Sequence, residues 1–582
     1  MYRMEQAKLQ KPVAWLEEVG ARRAGLTILI VAMGGAAALI LWLERGTTYM
    51  SDEWAWVNFA GEASIAEMFR PLNQHLSFLV LLPTKIGLDL WGTSDAMLPF
   101  KLIGIAGVLA CGALVYAFAL PRVGPLVALA PAMIPMYLGT ATVILLQPLI
   151  GLQVLYSLAF GIGALVALDR GSRAGDITAS VLVVLSLACF STGIAFLAGV
   201  AVAVLLAPDR FRRAYVFLIP AILYGGWRLW AMKYGSTGGP ELANVPALPL
   251  YYSDSIASTT AALFGRSPML GPGPGTYVFL HGFTLDQASA AFVFAAIEVF
   301  VIVIAARRLA RLGPIGPMLW ATLAVLLTLW TIQGLVLVDG RTPGESRYIY
   351  PGAIAMSLVV VEAVRRVRFT QFAVTVILGL TVVGIAGNLV RFNDGRNLIE
   401  YLAPRTFAYT GLMDLSGKNA DPNYVPSTEA PVAAPAGALS IPVSAYQAVS
   451  ARHGPLGYSP ARILEMPADI RHGSDEVLIG MLRLDLEPND GVAAAGACRQ
   501  ATQGRRGDRV RLPRGGAILR SEGATRILLR RFGERPGVEV GRLAAGRAAL
   551  LRIPPDGARL PWVLETPRSV SITACAIGPQ PS

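Results

Sequence analysis

Long apolar runs recur through most of this chain, and they limit what it can fold into more than any other feature. They fall near residues 25–43, 98–120, 125–143, 149–168, 214–231, 286–306, 316–338, 348–364 and 371–390. A helix needs roughly 17–25 predominantly apolar residues to cross a bilayer. The run from Ile177 to Ala207 is too long for one ordinary span. It is interrupted at FSTG, Phe190 to Gly193, where Ser, Thr and Gly let two short crossings turn back. Hydropathy then gives about eleven spans in all. Charged residues make up only 15% of the chain and hydrophobic ones 54%, with mean hydropathy +0.53. A soluble chain carries about 25% charge. The predicted class is a polytopic α-helical membrane protein. The net charge of +12 comes mainly from arginines that punctuate the apolar runs. That placement points to topology and phosphate binding and away from nucleic acid.

Positive residues favour the cytoplasmic side, and this rule orders the runs. Arg22 and Arg23 put residues 1–24 in the cytoplasm, and the absence of a small-residue cleavage site predicts a retained anchor. Arg122, Arg170/Arg173, Arg210/Arg212/Arg213, Arg307/Arg308/Arg311 and Arg365/Arg366/Arg368 all fall on the same side, provided that 76–91 does not cross. That stretch holds Pro83, Lys85 and Asp89, and reads as a juxtamembrane or re-entrant helix on the outer face. Left outside are 44–97, a short hairpin around Gln147, 232–285 and 339–347. LGPGPG, Leu270 to Gly275, must be irregular backbone. The membrane domain is expected over 25–391, followed by an extracytoplasmic connector over 392–490 with a Pro/Ala linker, VPSTEAPVAAPAGALSIP. Residues 491–582 carry short β-type runs such as DRVRLP, GAILRS and AALLRIP, the pattern of a small extracytoplasmic β-sandwich. Cys498 and Cys575 lie near its two ends and can be bridged in an oxidising compartment, whereas Cys111 and Cys189 lie in apolar runs as packing residues. No internal repeat, zinc-type cysteine spacing, Walker sequence or GxSxG elbow is present.

The chemistry-bearing residues gather in the stretch from Tyr49 to Trp91. It opens on the adjacent carboxylates Asp52 and Glu53, set among Trp54, Trp56 and Phe59, and continues to Asn73, Gln74 and His75. An acid pair at the mouth of a membrane helix marks a functional site unless both acids are simply solvated. Outside that stretch, Arg228 and Arg347 are arginines on the outer side, against the positive-inside bias, and fit phosphate contact. Lys233 and Arg341 read more simply as snorkelling interface residues. Tyr348, Tyr350, Trp54 and Trp56 can stack on a sugar or a prenyl chain, or can belong to an interfacial aromatic belt. Arg505, Arg506, Arg509, Arg511 and Arg514 can touch anionic glycan or headgroups, or form a solvated face.

SDEW just after the first apolar run, NQHLSF followed by a hydrophobic helix and GLDLWGTSDAMLPFKL, and a late SRYIYP together resemble the GT-C superfamily of membrane glycosyltransferases. Protein mannosyltransferases, aminoarabinose transferases and mycobacterial arabinosyltransferases belong to it. The resemblance covers roughly residues 20–390. It implies a polyprenyl-phosphate sugar as donor, a cell-envelope glycan or glycolipid as acceptor, and an acid of the first outer loop as base. That role carries to Asp52, with Glu53 second. Members with Asp-Asp at this place leave the division of labour between Asp52 and Glu53 open. An acceptor hydroxyl needs such a base, and the departing phosphate needs fixed cations, with His75, Arg228, Arg347, Tyr348 and Gln147 as substrate-binding candidates. A divalent cation at Asp52/Glu53 is a further expectation, although the loop lacks an evident third carboxylate. The rivals are a lipid or polysaccharide transporter and a non-catalytic envelope scaffold. A transporter predicts inverted repeats or mid-membrane charges on several spans.

Overall fold

The computed structural model describes residues 2–50, 52–235, 241–265, 316–336, 342–365, 367–426, 441–489, 492–501, 508–567 and 570–578. The chain divides into two compact units. One comprises Met1–Arg45, Ala63–Thr84 and Leu98–Asn397; the other comprises Gly46–Glu62, Lys85–Met97 and Leu398–Ser582. The helices in chain order are α1 (Tyr2–Leu43), α2 (Glu53–Glu62), α3 (Phe78–Asp95), α4 (Met97–Val123), α5 (Leu129–Met136), α6 (Thr142–Leu146), α7 (Pro148–Leu168) and α8 (Arg173–Cys189). There follow α9 (Thr192–Leu205), α10 (Tyr215–Ala231), α11 (Leu248–Leu263), α12 (Pro317–Leu335), α13 (Ser346–Ala363), α14 (Gln371–Ser416), α15 (Val443–His453) and α16 (Ala468–Met481).

Among the described residues, seven helical stretches are long and apolar enough to cross a membrane. They are Gly20–Leu43, Met97–Val123, Leu129–Leu146, Pro148–Leu168, Tyr215–Tyr234, Pro317–Leu335 and Gln371–Asn419. The protein is therefore a multi-pass helical membrane protein in composition and helix length, with a C-terminal β region. The run expected at 286–306, the LGPGPG segment and most of the Pro/Ala linker lie outside the described residues. The run expected as one span at 125–143 is not a continuous helix. A 3-10 turn, Gly139–Ala141, separates α5 from α6. The backbone of Asn388 approaches so closely there that a Cβ on Gly139 would lie 2.0 Å from its carbonyl oxygen. No break falls at 391–392 either, because α14 runs through that boundary as one helix.

The long apolar run of 177–207 breaks at Phe190, whose backbone is extended. The two pieces form a hairpin. Arg213, soon after α9 ends, donates from Nε and Nη2 to both oxygens of Asp176 at the start of α8, at 2.9 and 2.6 Å. At 14 residues, α9 reaches only about 21 Å along its axis, short of a full hydrocarbon core of about 30 Å. The same end of this unit gathers the C-termini of α4, α7 and α13, where Arg122 pairs with Asp169 at 3.2 Å and with Glu362.

In the other unit, the described residues hold nine strands: β1 (Glu487–Pro488), β2 (Ala494–Gln500), β3 (Arg509–Arg511), β4 (Gly516–Ser521), β5 (Thr525–Arg530), β6 (Val538–Leu543), β7 (Ala548–Arg552), β8 (Val563–Glu565) and β9 (Ile572–Ile577). They form two antiparallel sheets, with orders β1-β7-β4-β9-β2 and β3-β8-β5-β6. Cys498 on β2 (Ala494–Gln500) faces Cys575 on β9 and is joined to it by a disulfide. On β3 (Arg509–Arg511) burial alternates, with Val510 inward and the two arginines outward, so those arginines lie on a solvated face. Arg505 and Arg506 lie outside the described residues.

Candidate active site

The two acids of the first loop have different surroundings. Asp52 is exposed in the turn before α2 and accepts the Ala55 N–H on its carbonyl at 3.0 Å. Glu53, the first residue of α2, is 0% exposed. Its Oε2 accepts the Met50 N–H at 3.0 Å, which folds the chain back over the helix start. A carboxylate in the first turn of a helix is favoured by the unpaired N–H groups there. Tyr49 lies over it, its hydroxyl donating to the Thr93 carbonyl at 2.9 Å. Burial first, and the Glu53 carboxylate second, push the Tyr49 phenol well up, so it stays protonated. Trp54 and Trp56 are fully buried, and Trp54 makes edge contacts with Tyr49 and with Tyr446 of α15. In this position the tryptophans are core residues and are not available to a sugar. The arrangement leaves Asp52 with its carboxylate outward on a helix start that Glu53 and the aromatics hold rigid. Of the two carboxylates, only that of Asp52 is accessible to a divalent cation. Among the described residues, no group of three or more His, Cys, Asp or Glu is placed to hold a metal.

The remaining candidates belong to the helical unit. His75 ends a tight turn in which Leu72 and His75 exchange both backbone bonds, at 2.9 and 3.1 Å. Asn73 and Gln74 carry φ of 47° and 70° in that turn. Left-handed backbone at Gln74 is strained for a side chain of that kind, the sort of cost that collects at functional sites. The turn aims the His75 ring at the α8–α9 break, where Nδ1 hydrogen-bonds Ser191 Oγ and the ring packs on Phe190 at 4.2 Å. The Tyr224 phenol, on α10, is influenced by Ser191 and by the charge of Arg228 on the next turn. Trp227 Nε1 donates to the Phe69 carbonyl at 2.8 Å and ties α10 to the same first-loop segment. His75 thus meets Ser191 and Phe190 at the break, while Arg228 lies one turn from Tyr224 on α10; Ser191 and Tyr224 are residues that the sequence reading did not name.

Arg347 and Tyr348 lie in the first turn of α13. Arg347 Nε donates to Glu345 Oε2 at 2.7 Å, so its charge is already partly matched, and its guanidinium also lies 5.3 Å from the Tyr348 ring. Ser346, beside it, accepts the Val143 N–H at 2.8 Å and caps the start of α6. Gln147 is buried at the extended residue joining α6 to α7. Tyr350 is fully buried in α13 and is core. Lys233 rests over Trp230 and Tyr234 at 4.5 and 5.0 Å, as a snorkelling side chain does. Arg341 lies outside the described residues.

No family model matches the sequence, and no curated protein matches it either. Among solved structures, the chain is similar to the arabinosyltransferase EmbB from Mycobacterium smegmatis, determined by single-particle cryo-electron microscopy. Identity is 14% and the TM-score 0.31, with 94% of this chain and 64% of that chain covered. This chain therefore spans less than two-thirds of the length of that protein. A likeness at this TM-score carries no argument about mechanism, and the functional reading rests on the residues.

Proposed function

We propose that the protein is an inverting membrane glycosyltransferase of GT-C type that takes a sugar from a polyprenyl-phosphate donor. The acceptor is a cell-envelope glycan or glycolipid, and the reaction runs on the outer face of the cytoplasmic membrane. In this reading the N-terminus is cytoplasmic, about eleven helices cross the membrane, and the β region is extracytoplasmic. The Cys498–Cys575 disulfide supports that last placement, because such bonds persist in oxidising compartments.

The observation that carries the proposal is the division of the acid pair, with Glu53 enclosed as an anchor and Asp52 presented outward at a fixed helix start. Asp52 takes the proton of the acceptor hydroxyl as its oxygen bonds to the anomeric carbon. The bond from that carbon to the phosphate oxygen breaks, and the electron pair leaves with the phosphate. An arginine stabilises the charge gained by the phosphate.

The test is sugar transfer by purified protein from a radiolabelled polyprenyl-phosphate sugar to an envelope-glycan acceptor. Asp52→Asn keeps the shape but cannot accept the proton, and is expected to cut turnover by about 10²-fold or more, with donor binding nearly unchanged. Glu53→Gln is expected to act through stability, lowering the melting temperature. Transfer at the wild-type rate by Asp52→Asn would sink the assignment and bring the transporter reading forward.

A further inference from the structure

The helix that presents Asp52 is held at both ends by residues that the transfer scheme above does not use. At the start of α2, the Tyr49 hydroxyl bonds the Thr93 carbonyl in residues 85–95 of α3. At its end stands α15, which packs on α2 from far along the chain. Arg452 Nη1 donates to the Gly61 carbonyl at 2.8 Å, 391 positions away in sequence, and His453 Nε2 lies 3.4 Å from the same oxygen. That carbonyl belongs to the last turn of α2, where four carbonyls lack a partner inside the helix and a cation is favoured. His453, the last residue of α15, also reaches α3. Its Nδ1 lies 3.8 Å from Asp89 Oδ1, and Asp89 Oδ2 is 3.5 Å from Lys85 Nζ. Its carbonyl packs on Gly92, where φ is 72° and a Cβ would come within 2.6 Å of that oxygen, so the α3 kink needs glycine. The His453 side chain is 3% exposed, enclosed where the three helices meet.

With 10 residues, about 15 Å, α2 is too short to persist as a helix by itself, so its place depends on what holds its ends. Proton removal by a carboxylate is sensitive to that place, since a misplacement of about 1 Å can cost about 10²-fold in rate. We propose that Arg452 and His453 are positioning residues of the transfer reaction. They pin the end of α2 to α15 and α3, and through α2 they fix where the Asp52 carboxylate stands. The effect on transfer rests on the reading of Asp52 as the base; the hold on α2 does not.

The experiment uses the full-length protein in nanodiscs and reads two quantities, amide hydrogen exchange and the kinetics of sugar transfer from a radiolabelled polyprenyl-phosphate sugar. Arg452 and His453 line one wall of an open cleft of about 400 Å³ between α2 and α15, so Arg452→Ala widens a cleft and leaves no enclosed void. In Arg452→Ala combined with His453→Ala, the amides of α2 are expected to exchange about 10- to 100-fold faster, the size of a lost bond to a charged group. The kcat is expected to fall about 10- to 100-fold, with KM for the donor within about 2-fold of wild type. Arg452→Lys and His453→Gln each keep an N–H donor and are expected to restore most of both. Arg526→Ala, at a half-exposed arginine of β5, is the control and should change neither. Exchange in α16 and in the sandwich is expected to stay at the wild-type rate, whereas a purely structural role would raise it along with that of α2. Wild-type exchange of α2 in the double variant overturns the clamp. Faster exchange of α2 with kcat unchanged, or equal loosening of α16 and the sandwich, overturns the positioning role. Wild-type transfer by Asp52→Asn overturns the base assignment and the positioning role with it, while the exchange of α2 still reports on the clamp alone.

Discussion

Two arginines in the helical unit, Arg122 and Arg228, are held in opposite ways. Arg122, at the end of α4, has a side chain only 2% exposed and lies against two carboxylates. It pairs with Glu362 and Asp169, donates from Nη1 to the Phe118 carbonyl at 2.6 Å, and lies 3.7 Å from the Phe118 ring. Arg228, on α10, is half-buried, neighbours a phenol, and has no carboxylate among the described residues. A charge enclosed in protein must be paired, or the fold bears its desolvation. An arginine left without a counter-charge at a half-open position is better explained by a ligand than by packing. The same contrast holds within the acid pair, where Glu53 is enclosed and bonded while Asp52 is open.

The contrast is sharpest in stability. Arg122→Met leaves the buried Glu362 with only the half-exposed Arg365, at 3.8 Å, and is expected to cost about 3–5 kcal/mol. Arg122→Met combined with Glu362→Met should recover most of that loss, because the charge then left without Arg122 is Asp169, whose side chain is 32% exposed. Arg228→Met is expected to change stability by no more than about 0.5 kcal/mol. Thermal unfolding in detergent, followed by tryptophan fluorescence, reads all three. Equal losses from the two single variants would break the distinction between structural and functional arginine.

A smaller effect is expected at the turn that presents Ser191 and Thr192. A Cβ on Gly193 would sit 2.6 Å from the Leu187 backbone nitrogen and 2.7 Å from the Ser186 carbonyl carbon, atoms that cannot move aside. Gly193→Ala is therefore expected to cost about 1–3 kcal/mol. Gly34→Ala, at a helical glycine with nothing within 4 Å of the added carbon, is the control and should be neutral or slightly stabilising. If the two substitutions unfold at the same temperature, the close turn is not what fixes the break.

How far these features could be read from residues alone depends on their range. The FSTG interruption was legible because apolar length and a Ser/Thr/Gly cluster act locally, and the chain does break at Phe190. Alternation in RVR was legible for the same reason, and Arg509 and Arg511 do point outward. Asp52 and Glu53 were not separable, since two adjacent acids read alike until the start of α2 turns one inward. The burial of Trp54 and Trp56 was also hidden, because it depends on Tyr446, far along the chain. Likewise Ser191 meets His75 through tertiary packing, which no periodicity encodes. The hairpin residues Asn73 and Gln74 gave no signal either, since left-handed turns usually advertise themselves with glycine.

Asp475 provides the finest test of how an enclosed charge is held, because its hydrogen-bond partners among the described residues are backbone amides. On α16 it is 0% exposed and accepts the N–H groups of Arg531, Phe532 and Gly533 at 3.0, 2.9 and 2.8 Å. Burial raises its pKa above the ordinary carboxylate value, and those three N–H groups, with the charge of His472, offset only part of the rise. The folded state therefore holds the Asp475 proton more tightly than the unfolded state does. By linkage, this term stabilises fully below the unfolded value and is lost as pH rises through the higher folded one. Asp475→Asn abolishes the titration, so the stability of wild type relative to the variant should fall as pH climbs from the ordinary carboxylate range toward neutrality. Melting temperatures of both proteins, taken at steps across that window, give the difference directly. A difference that instead grows with pH would mean that the three amides outweigh burial. Asp475 would then belong with Glu362, as a charge whose partners more than offset the cost of enclosing it.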